Sequence, residues 1–330
     1  MKYLIITLLL FLLEILYFQV AKRFQIVDRP NQRSSHKGIV IRGGGIIFLI
    51  AAWLWSLFFN WDYLWFLTGL TMIGVICFAD DIKPVANAPR LVIQFIAMFL
   101  MFYQVGLLSP ERWWMVIVAV VVCVGILNAF NFMDGINGIT GGYSLAVLLP
   151  LLYLDSFPGA AALSDSFVHP SLLWVMVLAC LVFCFFNFRL HARCFAGDVG
   201  AICIAFTLVF CLGRLILRTR DVTYLMLMAV YGVDTVMTIL HRIQLHEPLG
   251  VAHRKHAYQL MANELKIPHI VVSSFYMGLQ LMISAGLVFL PVNHWLYSLV
   301  VLVLLVSGYV VFMKKYYYLH EEYLASLAGH

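Results

Sequence analysis

Acidic and amide side chains stand at several points in this chain where a hydrophobic run ends, and their types suit phosphate and metal chemistry. Asp80 and Asp81 are adjacent and followed by Lys83. Two carboxylates at a bilayer boundary are costly unless paired, protonated or bound to metal. One of such a pair can bind Mg²⁺ while the other accepts a proton; a solvated helix end with Lys83 as partner is the plainer alternative. Asn128, Asn131 and Asp134 recur every three residues and would line one face of a helix end. Such a face suits hydrogen bonds to a ribose, an amide or a uracil, with a polar seam between helices as the alternative. Asn137 follows, and Gly135 and Gly138 break the helix.

Asp198 lies in Gly197-Asp198-Val199-Gly200. By itself this motif is weak, because an Asp there often just caps a helix. Its position beside the other acids gives an oxygen-rich group of the kind Mg²⁺ or Mn²⁺ prefers. The stretch from Asp28 to Lys37 carries Arg33 and His36, and Arg42 precedes the glycines 43–45. Glycines let a backbone approach a ligand closely, and Arg and His suit phosphate oxygens. Alternatively this basic stretch only sets topology or touches anionic lipid. His253, Arg254, Lys255 and His256 place two cations between two histidines. That pattern fits a diphosphate better than zinc, since no carboxylate joins the pair; a solvated basic loop is the alternative.

The elements that must carry these groups are membrane helices. The chain has 330 residues, 63% hydrophobic and 11% charged, against about a quarter charged in soluble domains. Eleven segments approach the length of about 20 apolar residues that spans a bilayer: 3–20, 44–59, 62–79, 91–108, 113–129, 139–154, 171–187, 199–215, 222–240, 270–290 and 294–313. Some are short, so the expected architecture is all-α and polytopic with about 10–11 transmembrane helices. The run from Tyr3 to Val20 lacks a small-residue cleavage site and reads as the first span. No linker or repeat divides residues 1–330, which read as a single domain. The seven cysteines form no CxxC pair and read as apolar packing residues.

With eleven spans the termini lie on opposite sides. All but five of the 21 Lys and Arg residues fall on one side, which the positive-inside rule makes cytoplasmic. The N-terminus is then periplasmic and the C-terminus cytoplasmic. The exceptions are Lys2, Arg112, Arg214, Arg218 and Arg220, and the last three run against the rule. Every loop rich in Asp, Asn, His and Gly falls on the cytoplasmic side, while the opposite loops are short or plain. A transporter is the alternative from another class, because intramembrane acids also mark ion pathways. Carriers usually show internal symmetry, and none is visible here.

Taken together, Asp80-Asp81-x-Lys83, Asn128-x-x-Asn131-x-x-Asp134-Gly135 and Gly197-Asp198-x-Gly200 resemble the polyprenyl-phosphate N-acetylhexosamine-1-phosphate transferases (glycosyltransferase family 4). The resemblance runs from about Asp28 to Gln259. Asn31-x-Arg33-Ser34-Ser35-His36 and His253-Arg254-x-His256-Ala257-Tyr258-Gln259 look most like the bacterial branch that initiates O-antigen. The resemblance implies a UDP-N-acetyl-sugar donor, an undecaprenyl phosphate acceptor, and undecaprenyl-diphospho-sugar and UMP as products. It implies an enzyme of the bacterial inner membrane with its site facing the cytoplasm, with membrane lipid and no nucleic acid as partner, and it leaves a homodimer open. It makes Asp198 a ligand of Mg²⁺, with Mn²⁺ as a substitute, and one of Asp80 and Asp81 the group that deprotonates or orients the lipid phosphate. Asn131, Asp134 and Asn137, with Asn128 on the same face, would line the nucleotide-sugar pocket. His253, Arg254 and His256 would meet the donor's phosphates or sugar, and Arg33, His36 and Lys83 complete the expected substrate contacts. Two features depart from the family. Val199 stands where Ser commonly follows the metal Asp. The His-containing loop is spelled differently from the peptidoglycan enzymes, so their MurNAc-pentapeptide donor is not expected.

Overall fold

The computed structural model describes residues 1–29, 38–161, 163–248 and 253–328. The main elements are α1 (Lys2–Arg23), β1 (Val27–Asp28), β2 (Val40–Ile41), α2 (Ile46–Phe58), α3 (Leu64–Ile82), α4 (Asn87–Gln104), α5 (Trp113–Met133), α6 (Ile139–Ser156), α7 (Pro170–Asn187), α8 (Gly197–Thr219), α9 (Ala229–Gln244), α10 (Ala257–Gln259), α11 (His269–Phe289) and α12 (His294–Ala328). A 3-10 stretch, Val222–Met228, leads into α9, and a π-helical turn, Leu260–Glu264, continues α10. Each of the eleven apolar segments is helical. Nine helices among the described residues are long and apolar enough to cross a membrane, and Ile46–Phe58 is a shorter apolar helix. The chain is a multi-pass, all-α membrane protein.

Burial separates centre from periphery. Of the apolar span of α8, 83% is buried within the protein, against 22% in α5 and α12. Helices α2, α3, α5 and α6 surround α8. The closest of these packings needs glycine: a Cβ on Gly45 would lie 2.2 Å from the Gly200 Cα. Stacked rings fill the core further along, with Phe66 on Phe210 at 4.2 Å and Tyr143 on Tyr231 at 3.5 Å.

Two boundaries depart from the apolar reading for physical reasons. The fourth helix starts at Asn87, not near 91. Its first turn is polar and contains Pro89, which a first turn tolerates because its missing N–H has no intrahelical partner there. The last helix runs 35 residues, about 52 Å at 1.5 Å per residue, well beyond a hydrocarbon core of about 30 Å. Among the three arginines at odds with the positive-inside rule, Arg214 donates to the Phe167 carbonyl at 2.5 Å and sits over the Tyr63 ring. Arg218 faces Asp165 at 3.6 Å.

Candidate active site

The site forms where the segment before α2 meets the segment before α8. Strands β1 and β2 pair antiparallel, and Ile41 bridges to Cys194. Phe195 N–H donates to the Ile41 carbonyl at 2.8 Å, Gly44 N–H to the Phe195 carbonyl at 2.9 Å, and Gly45 N–H to the Ala196 carbonyl at 3.1 Å. This main-chain zipper places Arg42 beside Asp198. Gly197 must be glycine: its φ is +69°, and a Cβ there would lie 2.6 Å from Asp81 Oδ2.

The end of α3 then closes onto the start of α8. Asp81 accepts the N–H of Asp198 at 2.9 Å and of Val199 at 3.0 Å, so a carboxylate from another helix satisfies amides that a helix start leaves free. Arg42 Nε adds a third bond to Asp81 at 2.7 Å. Arg42 Nη2 reaches Asp198 Oδ1 at 3.3 Å, while Arg90 from the first turn of α4 reaches Asp198 Oδ2 at 3.2 Å and Asp80 at 2.9 Å. Asp80 also accepts the Val85 N–H at 2.7 Å. Asp198 therefore lies between two guanidinium groups, and the side chains of Asp80 and Asn131 stand within its reach. The Asp81 side chain is 0% exposed, Asp80 10% and Asp198 18%.

The three-residue series divides where its helix ends. Asn128 turns back to the Val124 carbonyl of its own helix at 2.9 Å. Asn131 joins the acidic cluster. Asp134, just past α5, accepts from Thr140 at 2.6 Å. Burial pushes its carboxyl up to about 7, and the nearby charges of Asp198 and Asp81 act in the same direction. Asn137 lies beyond Met133, where helical spacing no longer holds. Its amide donates to the carbonyls of Arg189 and Leu190, fixing the loop that returns to α8.

The His-containing loop docks on the end of α5. The rings of His253 and His256 lie 5.1 Å apart and 6.1 and 6.2 Å from Phe132. The Tyr258 hydroxyl donates to the Phe132 carbonyl at 2.8 Å and packs against Gly135. His256 Nδ1 pairs with buried Asp234, which also accepts from the Ala257 N–H and the Tyr276 hydroxyl. Among the described residues, His256 Nε2 and His253 Nδ1 are buried with no hydrogen-bond partner. Burial, then the neighbouring His256 and Arg242, hold the His253 pKa down to about 3, so this ring is neutral at pH 7. The two cations of the loop are already engaged: Arg254 with Glu264 at 2.8 Å and over the Tyr323 ring, Lys255 with Glu247.

Lys83 ends α3 with its side chain exposed, and Arg33 and His36 lie outside the described residues. The reading from sequence gives Arg90 no role and Arg42 only a general affinity for phosphate. The signal for Arg90 was available in the strongly amphipathic stretch behind Asn87, which apolarity alone trims away.

A hard divalent ion fits this donor set. Among the described residues no three His, Cys, Asp or Glu side chains form a metal-holding group. Mg²⁺, however, usually takes one or two carboxylates and completes its shell with water and substrate phosphates, and Asp198 beside Asp80 offers that.

The model of glycosyl transferase family 4 matches residues 63–215, which hold Asp80, Asp81, Arg90, Asn131, Asp134 and Asp198. A probable undecaprenyl-phosphate N-acetylglucosaminyl 1-phosphate transferase of Bacillus subtilis is 26% identical over 308 residues, covering 87% of this chain and 84% of that protein. The undecaprenyl-phosphate alpha-N-acetylglucosaminyl 1-phosphate transferase of Escherichia coli K12 is 26% identical over 292 residues, covering 78% and 75%. A phospho-N-acetylmuramoyl-pentapeptide-transferase of Dictyoglomus turgidum is 30% identical over 205 residues, covering 56% and 63%. With its acids and arginines gathered at the ends of membrane helices, the chain is similar over residues 63–215 to glycosyl transferase family 4, and over most of its length to these phospho-sugar transferases.

Proposed function

We propose that the protein transfers an N-acetylhexosamine-1-phosphate from a UDP-sugar to undecaprenyl phosphate, giving undecaprenyl-diphospho-sugar and UMP. On this reading it performs the membrane-committed first step of O-antigen or a similar surface polysaccharide, at the cytoplasmic face of a bacterial inner membrane. The observation that carries the proposal is Asp198 held between Arg42 and Arg90 with Asp80 alongside. Joining two anionic phosphates requires charge neutralisation and alignment more than covalent chemistry.

An oxygen of the lipid phosphate attacks the donor's sugar-bearing phosphorus, a new phosphoanhydride forms, and the bond to UMP breaks. Arg42 and Arg90, each able to present two N–H groups, hold the reacting phosphates in line. Asp80 is the acid best suited to orient the lipid phosphate or take its proton, because the bonds of Asp81 already fix α8. Asp198, with Asp80, would hold Mg²⁺, which supplies positive charge against the donor's diphosphate when bound. Asn131 and Asp134 face the nucleotide-sugar, and the unpaired ring nitrogens of His253 and His256 suit its phosphate or sugar oxygens. Asn128, Asn137 and Arg254 support these groups through the bonds already described.

The longer-matching relatives are named for N-acetylglucosamine, which favours UDP-GlcNAc as the donor. The test is UMP release by purified protein in detergent. UMP should appear only with UDP-GlcNAc, undecaprenyl phosphate and Mg²⁺ all present. Release without the lipid, or from UDP-MurNAc-pentapeptide alone among the donors, would overturn the reading.

A further inference from the structure

Two cavities that share Tyr309 run along α12. The first, about 440 Å³, is lined by Phe275, Leu279, Ile283, Leu304, Leu305 and Gly308, between α9, α11 and α12. Its one carboxylate, Asp234, is already bonded to His256, Ala257 and Tyr276. The second, about 540 Å³, is lined by His241 and Gln244 of α9 and by Lys314, Tyr317, Tyr318 and Glu321 of α12. Tyr309 borders both and pairs its hydroxyl with Thr238.

Their order matches a lipid in a leaflet. The first cavity lies within the hydrophobic part of α12, and the second, lined also by Met237, Leu240, Val310 and Met313, extends to where the helix turns to Lys314, Lys315 and three tyrosines. Lysine and tyrosine at that level mark the headgroup zone. Gly308 keeps the apolar part open: a Cβ added there meets nothing within 4 Å, although a helix interior disfavours glycine. The charges are also ordered. Lys314 comes first, with the uncharged His241 ring lining the same cavity, and Glu321 lies seven residues, about 10 Å, further along α12. A cation nearer the bilayer and an anion beyond it complement a headgroup whose phosphate precedes a protonated amine.

We propose that this groove binds a glycerophospholipid with an amine-bearing headgroup, its phosphate on Lys314 and His241, its ammonium toward Glu321, and one acyl chain along Gly308. Lys255 does not compete for the phosphate, because it is paired with Glu247 beneath the Tyr317 ring.

The test is native mass spectrometry of the full chain, offered phosphatidylethanolamine, phosphatidylglycerol and phosphatidylcholine with matched acyl chains. Wild type should retain phosphatidylethanolamine several-fold over the other two. Gly308→Leu, which fills open space, should lose retention while its melting temperature in detergent stays unchanged. Glu321→Gln should keep lipid but bind phosphatidylethanolamine and phosphatidylcholine equally. Equal retention of all three by wild type, or unchanged retention in Gly308→Leu, overturns the proposal. One-for-one displacement by undecaprenyl phosphate also overturns it, since the groove would then seat the acceptor.

Discussion

The carboxylate of Asp81 accepts the amide hydrogen of Val199 at 3.0 Å, so the end of α3 caps the start of α8. Asp80, one residue earlier, bonds Val85 and Arg90 and retains some exposure. Adjacent helical residues point about 100° apart, and that angle gives the two acids different partners, so the proposed function makes Asp81 the structural acid and Asp80 the reactive one. Asp81→Asn turns an amide group toward helix-start donors and should cost about 1–3 kcal/mol, read as a lower melting temperature in detergent. Asp80→Asn should leave melting unchanged and lower turnover by roughly 100-fold or more. Equal effects of the two on stability would remove the distinction.

Asp198→Asn should lower transfer by about 1000-fold, because an amide holds a hard divalent ion poorly and binds Arg42 and Arg90 less well. Raising Mg²⁺ should not restore the rate. Near-normal turnover at saturating Mg²⁺ would contradict the metal assignment.

Arg90→Lys keeps the charge but lacks the planar fork whose two separate nitrogens reach Asp80 and Asp198. Turnover should fall at least 10-fold while the protein stays folded. Wild-type kinetics would show that the fork is not needed.

The raised pKa of Asp134 predicts a pH dependence. Below about 7 this carboxyl is largely neutral, and above it ionised. If the ionised form accepts a hydrogen bond from the donor, kcat/KM for the UDP-sugar should rise with pH through about 7. Asp134→Asn should flatten that rise. His253, with its pKa near 3, contributes no step above pH 5. A rise that persists unchanged in Asp134→Asn would assign it to another group.

His256→Ala should raise the donor's KM and leave the KM for undecaprenyl phosphate within about 2-fold. Its ring is fixed by Asp234, with Nε2 unpaired beside Phe132. A selective rise in the lipid KM would move the loop to the acceptor side.

Much of this was legible in the sequence, and the rest was hidden for identifiable reasons. Hydrophobic length gives the helices, and acids at their ends stand out because charge near lipid is costly. Asn131 follows helical spacing and meets the cluster, Asp134 stands at the first position past the helix, and Asn137, three residues further on, binds carbonyls. Arg254 reads as a phosphate-binding group, and nothing local reports that Glu264, ten residues on, lies against it. Arg90 resembles any basic residue after a span, since nothing local reports that Asp198 lies beside it.

The stitching of residues 41–45 to 194–196 uses peptide groups alone. Its register therefore does not depend on which side chains Ile41 or Phe195 carry, only on the glycines that let the backbones meet. Sequence can drift widely around such a seam without moving Arg42 from Asp198. A single methyl group at Gly45 or Gly200 would pry the two segments apart.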